Sequence, residues 1–243
     1  MEELVPPPAS GRVFRATRPV RLSDVDPTGR LRFDAVARYL HDVSNDDTRD
    51  AGLRDDGSWV VRRTAVVVED RSPRFGEQLS LATWCGGTGA RWAERRVSVT
   101  GAHGGRVEAA SLWVYVDLSS MMPKRLGPDF VSLYGPAAGG RTVSSKLVLG
   151  GPPVGERRPW PLRRTDFDVL AHVNNAAYWA AVEEVVGERP SLVAGPHRAV
   201  VEFAKPIDPG AAVELVVAAD ERSATLWFEV AGTVHATATV APR

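Results

Sequence analysis

The 243-residue chain predicts an α+β protein made of two successive copies of one plan, each a helix wrapped by a strongly curved antiparallel sheet. Three observations carry this expectation. The order strand, helix, four strands occurs twice. Two acidic turns, Asp24-Val25-Asp26 and Asp166-Phe167-Asp168, lie 142 positions apart, and Leu31 meets Val173 at the same offset. Between the copies runs PAAGGRTVSSKLVLGGPP, residues 136–153, whose Gly, Pro and Ser content is that of a linker.

The first copy opens with VFRATRPVRL, a strand-like run, followed by SDVDPTG, a cluster of turn formers. From residue 32 to about 51 the apolar residues Phe33, Val36, Ala37, Leu40 and Val43 recur at helical spacing. Strand-rich stretches follow at residues 59–69, 78–84, 91–100 and 106–118, with Gly, Pro, Asp and Ser between most of them. That punctuation predicts an antiparallel meander. In the second copy residues 157–164 read as a short strand, TDFDVLA as the turn and 175–186 as the helix. Strand-like runs follow at 197–203, 211–219, 224–230 and 233–240, and Pro209-Gly210-Ala211 falls near the place of Phe75-Gly76-Glu77. A duplication is the economical reading.

A long helix cradled by a curved sheet, present twice, predicts a double hotdog. The two sheets are expected to join edge to edge, both helices on one side, hiding one open strand edge from each half. The join leaves a crevice between the halves, where ligands collect. The expected division is a flexible N-terminus at 1–11, an N-terminal hotdog at 12–140, a linker at 141–155 and a C-terminal hotdog at 156–243.

Composition narrows the function. Thirty basic residues balance thirty acidic ones, so bulk charge makes no case for nucleic acid. No run approaches 18 unbroken apolar residues, so no membrane span is expected. The proline-rich start MEELVPPPASGR lacks the apolar segment of a signal peptide. Cys85 is the only cysteine, which excludes an internal disulfide and thiolate-rich metal sites. A reducing cytoplasm is the simplest location, with a monomer or homodimer as the assembly. The five histidines show no metal-ligand spacing, and GGTGA after Cys85 is a weak phosphate-loop signal, so no metal and no cofactor are expected.

The chemistry concentrates in RRTDFDVLAHVNNAAYW, residues 163–179. Asp168 precedes the second helix, and His172, Asn174 and Asn175 stand at its mouth. The first N–H groups of a helix lack internal partners and carry the positive end of its dipole, so they suit a developing oxyanion. A nearby aspartate can attack a carbonyl or activate water. Imidazole and carboxamide groups can orient either one. This set suits hydrolysis of an activated acyl group, a thioester above all, with the apolar helix and sheet lining an acyl tunnel. Asp and Asn are also preferred helix caps, so Asn174 or Asn175 serving only as a cap is the competing reading.

TDFDVLAHVNNAAYW resembles the D-x-D-x-x-(small)-H-V-N-N-A-x-Y signature of hotdog thioesterases related to 4-hydroxybenzoyl-CoA thioesterase. SDVDPTGRLRF resembles the D-x-D-P-x-G lead-in to the helix in the same superfamily. WVVRRTAVVVEDRSPRFGEQLSLATW and RVEAASLWVYVDL, with MMPKRL, are similar to the N-terminal hotdog of acyl-ACP thioesterases, which end fatty acid synthesis by cleaving acyl carrier protein thioesters. The resemblance covers roughly residues 12–241. It implies Asp168, His172 and Asn174 as catalytic residues, and Val173, Asn175, Tyr178, Arg163 and Arg164 as substrate-binding ones. It also implies an oxyanion site at the N–H groups near His172 and Val173. Two positions depart from the acyl-ACP pattern: Leu170 stands where the family has an asparagine, and Pro206 falls near a further acidic position. Glu183 or Glu184 is an auxiliary base if it faces the crevice. The first copy keeps Asp24 and Asp26 but has Arg30 and Arg32-Phe33 in place of the histidine and asparagine pair. It is expected to be a degenerate partner shaping the acyl pocket, with Asp26 a candidate second site.

The expected partner is an acyl carrier protein or coenzyme A thioester. Arg163-Arg164 adjoin the site and are the expected docking pair; the other basic pairs, such as Arg62-Arg63 and Arg95-Arg96, read as solvated strand faces. An acyl-CoA thioesterase is one alternative, and a non-catalytic acyl-chain binding protein, favoured by Leu170 and Pro206, is another. A hotdog hydratase ranks third, because no G-D-x-N-P-x-H-like stretch is present.

Overall fold

The protein is described by a computed structural model covering residues 4–53, 57–151 and 153–243. Residues 1–3 of the expected lead-in and Pro152 of the expected linker lie outside the described residues. The first half contains β1 (Val13–Pro19), α1 (Phe33–Asp50), β2 (Gly57–Val68), β3 (Gln78–Thr88), β4 (Trp92–Gly101) and β5 (Arg106–Asp117). A helix α2 (Pro128–Ala138) follows. The second half contains β6 (Glu156–Pro159), α3 (Asn175–Glu188), β7 (His197–Phe203), β8 (Val213–Ala219), β9 (Ala224–Val230) and β10 (Thr233–Pro242).

The ten strands of the described residues form one antiparallel sheet in the order β1-β3-β4-β5-β2-β7-β10-β9-β8-β6. The order reads the same from either edge when the halves are exchanged, so the duplication is visible in the topology. β2 and β7 make the seam, running antiparallel from Arg63↔Glu202 to Val68↔His197. Each half is therefore a meander of three strands with its second strand displaced: β2 pairs with β5, not with β3. Placing β2 and β7 centrally lets backbone pairing satisfy both strands on both sides, where an open edge would leave N–H and C=O groups exposed.

Alternate residues of the strands supply the inner face. Val66 and Val68, Leu79 and Leu81, Val97 and Val99, and Val107 and Ala109 join the main core. Both long helices lie in that core, and they touch: the Phe33 and Trp179 rings are 5.6 Å apart. α1 buries Phe33, Val36, Ala37, Leu40 and Val43, the residues whose spacing predicts it. α3 buries Ala176, Ala177 and Ala181 with Val182 and Val185; its small side chains allow close packing.

No element is expected at α2, whose last residues from Pro136 fall in the stretch with linker composition. Pro128 stands in the first turn, where a missing N–H costs nothing. The helix packs on β3 and sends its Tyr134 hydroxyl to Asp47 of α1 at 2.9 Å. The chain before β1 has no helix or strand in residues 4–10, and Gly11 passes so close to Ala137 that a Cβ there would overlap its backbone nitrogen. Residues 142–151 cross the sheet as a strap. The Trp92 indole donates to Val143 O, Arg63 donates to Lys146 O, and the N–H groups of Val148 and Leu149 donate to the Glu202 carboxylate at the seam.

Candidate active site

The two acidic turns have one backbone design. In each, an aspartate closes a short helical turn by accepting the N–H three residues back: Arg21 N–H to Asp24 at 2.9 Å, Arg163 N–H to Asp166 at 2.7 Å. Asp26 N–H then donates to Arg30 O as Asp168 N–H donates to His172 O, and Arg32 N–H to Asp24 O as Asn174 N–H to Asp166 O. The tight turn needs a positive φ. The first half meets it with Gly29 at 84°, the second with Ala171 at 58°. This frame delivers one aspartate, one residue four positions later and a helix N-terminus to the same place in each half.

The side chains on that frame differ. In the first half Asp26 is saturated: it accepts from the Thr28 and Arg30 N–H groups, the Thr28 hydroxyl and the Arg30 guanidinium at 2.9 Å. Burial works to raise its carboxyl, but the Thr28 and Arg30 hydrogen bonds and the Arg30 charge outweigh that and hold it below the usual range. Arg30 also binds Glu183 of α3 at 2.5 Å, both side chains nearly buried. The Glu183 carboxylate accepts the Phe33 N–H at 2.5 Å. The α1 N-terminus thus holds an internal anion. Glu183, read as a potential auxiliary base, is consumed by this lock.

In the second half the equivalent positions face a cavity of about 960 Å³ between the repeats. Asp168, His172, Val173, Asn174, Asn175 and Tyr178 all line it. Asp168 Oδ1 accepts the Leu170 N–H at 2.9 Å, and no protein donor among the described residues holds Oδ2. Asn174 caps α3, its Oδ1 accepting the Ala176 N–H at 2.9 Å. The capping reading therefore describes its carbonyl, and its NH₂ group remains. Asn175 is the counterpart of Phe33. Its N–H and that of His172 donate to no acceptor among the described residues. The expected oxyanion donor at Val173 is corrected: its N–H is spent on Ile207 O at 3.0 Å.

Tyr178 is buried in a ring cluster with Trp160, Phe203 and Phe228. Burial and the Asp168 charge raise its phenol. Leu170, in the place of an asparagine, is half exposed at the cavity rim with its backbone N–H on Asp168. Pro206 carries no acid, but Asp208 does: its carboxylate lies 3.6 Å from His172 Nε2. Asp208 lies two residues beyond Pro206, is largely exposed and does not line the cavity. The expected docking pair is not at the cavity. Arg163 turns back to Asp166 at 2.8 Å, and neither it nor Arg164 lines the wall. Arg62, Arg91 and Lys205 do. His41, Ser44 and Asn45 of α1 and Trp59 and Trp113 of the first half's strands complete the wall, none of them singled out from sequence as site residues. A smaller cavity of about 100 Å³ shares Ser44, Asn45, Trp59 and Trp113 and ends at Cys85, Phe130 and Tyr134.

Comparison with known proteins agrees with this architecture. Residues 11–134 match the model of the acyl-ACP thioesterase N-terminal domain, and residues 153–238 that of its C-terminal domain. An uncharacterized protein of Mycobacterium tuberculosis is 33% identical over 97% of this chain and 94% of its own length. A chloroplastic dodecanoyl-[acyl-carrier-protein] hydrolase of Umbellularia californica is 28% identical over 72% of the chain, which spans about half (51%) of that relative. The solved 12:0-ACP thioesterase of Umbellularia californica superposes with a TM-score of 0.73 at 21% identity, covering 95% of this chain and 97% of that one. An acyl-ACP thioesterase of Bacteroides thetaiotaomicron gives 0.72 at 18% identity, covering 94% and 97%. No helix of the described residues is long and apolar enough to cross a membrane.

Proposed function

This chain belongs to the acyl-ACP thioesterase family, and from that premise we propose that it hydrolyses a fatty acyl thioester of acyl carrier protein, releasing the fatty acid and the carrier thiol. One observation carries the reading: the N–H that holds a carboxylate in the first half is open at the cavity in the second, beside an aspartate with a free oxygen. Phe33 N–H already binds a carboxylate oxygen at 2.5 Å, so Asn175 N–H, on the same backbone frame, is suited to the oxygen of a thioester carbonyl.

Asp168 is the essential carboxylate. Its Oδ1 is fixed by Leu170 N–H, leaving Oδ2 to hold and activate the attacking water. One water O–H bond breaks as the water oxygen bonds to the acyl carbon, the carbonyl oxygen takes the negative charge against Asn175 N–H and the Asn174 NH₂, and the proton given up by the water passes to the sulfur as the C–S bond breaks. His172, paired with Asp208, lies beside this centre and orients the acyl carbonyl. Asp26 has no such role; its lock with Arg30 and Glu183 holds the two helices together.

The acyl tail runs among Trp59, Trp113 and Tyr178 toward the small cavity under α2. The pantetheine arm enters at the rim. There Val169 is fully exposed, Met121 and Leu170 nearly half exposed, and Arg62, Arg91 and Lys205 supply positive charge for a phosphate and an acidic carrier. A cytoplasmic location fits the single buried thiol.

The test is release of free fatty acid and free thiol from acyl-ACP and acyl-CoA of several lengths. Turnover of acyl-ACP supports the reading. Turnover of acyl-CoA alone makes it a coenzyme A thioesterase, and tight acyl binding without turnover makes it a binding protein. Arg91→Glu with Lys205→Glu is expected to raise KM for acyl-ACP while leaving a short-chain thioester unaffected; equal effects on both would remove the rim as a docking site.

A further inference from the structure

The pseudo-twofold relation assigns a partner to every residue of the site, and one partner falls in the first half. Glu183 of α3 reaches across the helix contact to the N-terminus of α1. Its counterpart 142 positions earlier is His41 of α1. The same relation carries the His41 side chain across the same contact toward the N-terminus of α3. His41 does line the cavity with Asp168, Asn174 and Asn175. Its ring packs on Trp113, centroids 5.7 Å apart and tilted 59°, and neither ring nitrogen has a hydrogen-bond partner among the described residues. A carboxylate at this position would plug the α3 N-terminus as Glu183 plugs that of α1. A histidine leaves it open and places a neutral acceptor over it.

We infer that His41 is a catalytic residue of the thioesterase site, contributed by the repeat that carries no active site of its own, and that it takes the proton of the water held by Asp168. This rests on the hydrolytic reading above. In the step, the water O–H bond breaks toward a His41 ring nitrogen as the water oxygen bonds to the acyl carbon. Asp168 faces the imidazolium that forms. The proton is returned to the sulfur as the C–S bond breaks, so His41 ends neutral and the products are the acid and the thiol. The site is then composite: aspartate and oxyanion donor from the second repeat, proton acceptor from the first.

The titration of His41 accords with the role. Burial pushes it below its ordinary value of about 6.5, with Asp42 and Asp168 opposing only in part. The other charged or titratable groups on the same cavity among the described residues are His172, Tyr178, Arg62, Arg91 and Lys205. The ring is therefore neutral, and able to accept, at pH 7.

The experiment compares wild type with His41→Gln and His41→Ala on dodecanoyl-ACP across pH 5 to 9, folding being checked by circular dichroism. Expected for His41→Gln is a fall in kcat of about 100-fold or more with little change in KM, the range for loss of a general base. The low-pH limb of the wild-type profile, below about 6.5, should vanish with it. Added imidazole should restore part of the rate to His41→Ala. A kcat within a few-fold of wild type, or a large fall that keeps the limb and resists imidazole, overturns the inference while leaving the thioesterase standing. A wild type without turnover on acyl-ACP and acyl-CoA of several lengths overturns the hydrolytic reading, and this inference with it.

Discussion

The two helix mouths of this molecule share a backbone and differ in what the backbone holds. At α1 the N–H of Phe33 binds Glu183, and Arg30 bridges that carboxylate to Asp26. At α3 the N–H of Asn175 is open, Asp168 keeps an oxygen free, and His172 stands where Arg30 does. The same frame thus holds an internal carboxylate in one copy and, among the described residues, leaves the matching N–H open at the cavity in the other. On the proposed reading one copy of the repeat has become structural while keeping its frame, because its charged groups neutralise one another.

The largest expected effect on stability comes from breaking that lock. Glu183→Ala leaves the nearly buried Arg30 with Asp26 as its remaining anion and the Phe33 N–H without its acceptor, and removing one member of such a buried pair costs up to about 3–5 kcal/mol. Urea unfolding measures it; a loss under 1 kcal/mol would mean that water replaces the carboxylate at no cost and that the first mouth is not closed. The next effect is a pH dependence. His197 is buried, its Nδ1 on Gly195 O, and burial first, then the Arg30 charge, push it below its ordinary value. The folded state therefore holds it neutral while the unfolded state protonates near 6.5. Stability is full above about pH 6.5 and falls as pH drops toward the lowered folded value, by at most about 1.4 kcal/mol per pH unit for this group. His197→Phe should flatten that slope; an unchanged slope assigns it elsewhere.

Smaller effects sharpen the comparison of the turns. Gly29→Ala should cost about 1 kcal/mol, because φ is +84° there, although the added methyl meets only ordinary contact with Arg74. Ala171→Gly should be neutral or stabilising by up to about 1 kcal/mol, relieving the same conformation. Equal costs in both directions would show that the two turns are not equivalent. Smallest is the His172–Asp208 pair: with Asp208 largely exposed, Asp208→Asn should change stability by less than about 0.5 kcal/mol while altering the rate by a few-fold.

Much of the fold was legible because it is written locally. The α1 stripe from Phe33 to Val43, the paired D-x-D turns and the turn glycines Gly76 and Gly210, at φ of 80° and 84°, each report a nearby backbone requirement. α2 was not, since two prolines and two glycines mask a helix that tertiary contacts with β3 hold. The site was legible only where its residues are neighbours in the chain. Asp168, His172, Asn174 and Asn175 share one turn of sequence, whereas the Glu183–Phe33 contact and the placement of His41 exist only after two helices meet. Arg163 misled because a charge beside a motif need not face its cavity; its own turn offers Asp166 at closer range. The 142-residue offset that aligns the two turns also pairs Glu183 with His41, the one signal in the sequence for a histidine with no motif around it.

The central claim is that the second mouth is catalytic and the first is structural. It is tested most directly by acyl-ACP hydrolysis in Asp168→Asn and Asp26→Asn, measured side by side at pH 7.5. The account predicts a loss of at least about 1,000-fold for Asp168→Asn with its melting temperature nearly unchanged. Asp26→Asn should retain activity within a few-fold but melt lower. Loss of turnover on Asp26→Asn in a folded protein, or survival of turnover on Asp168→Asn, would contradict it.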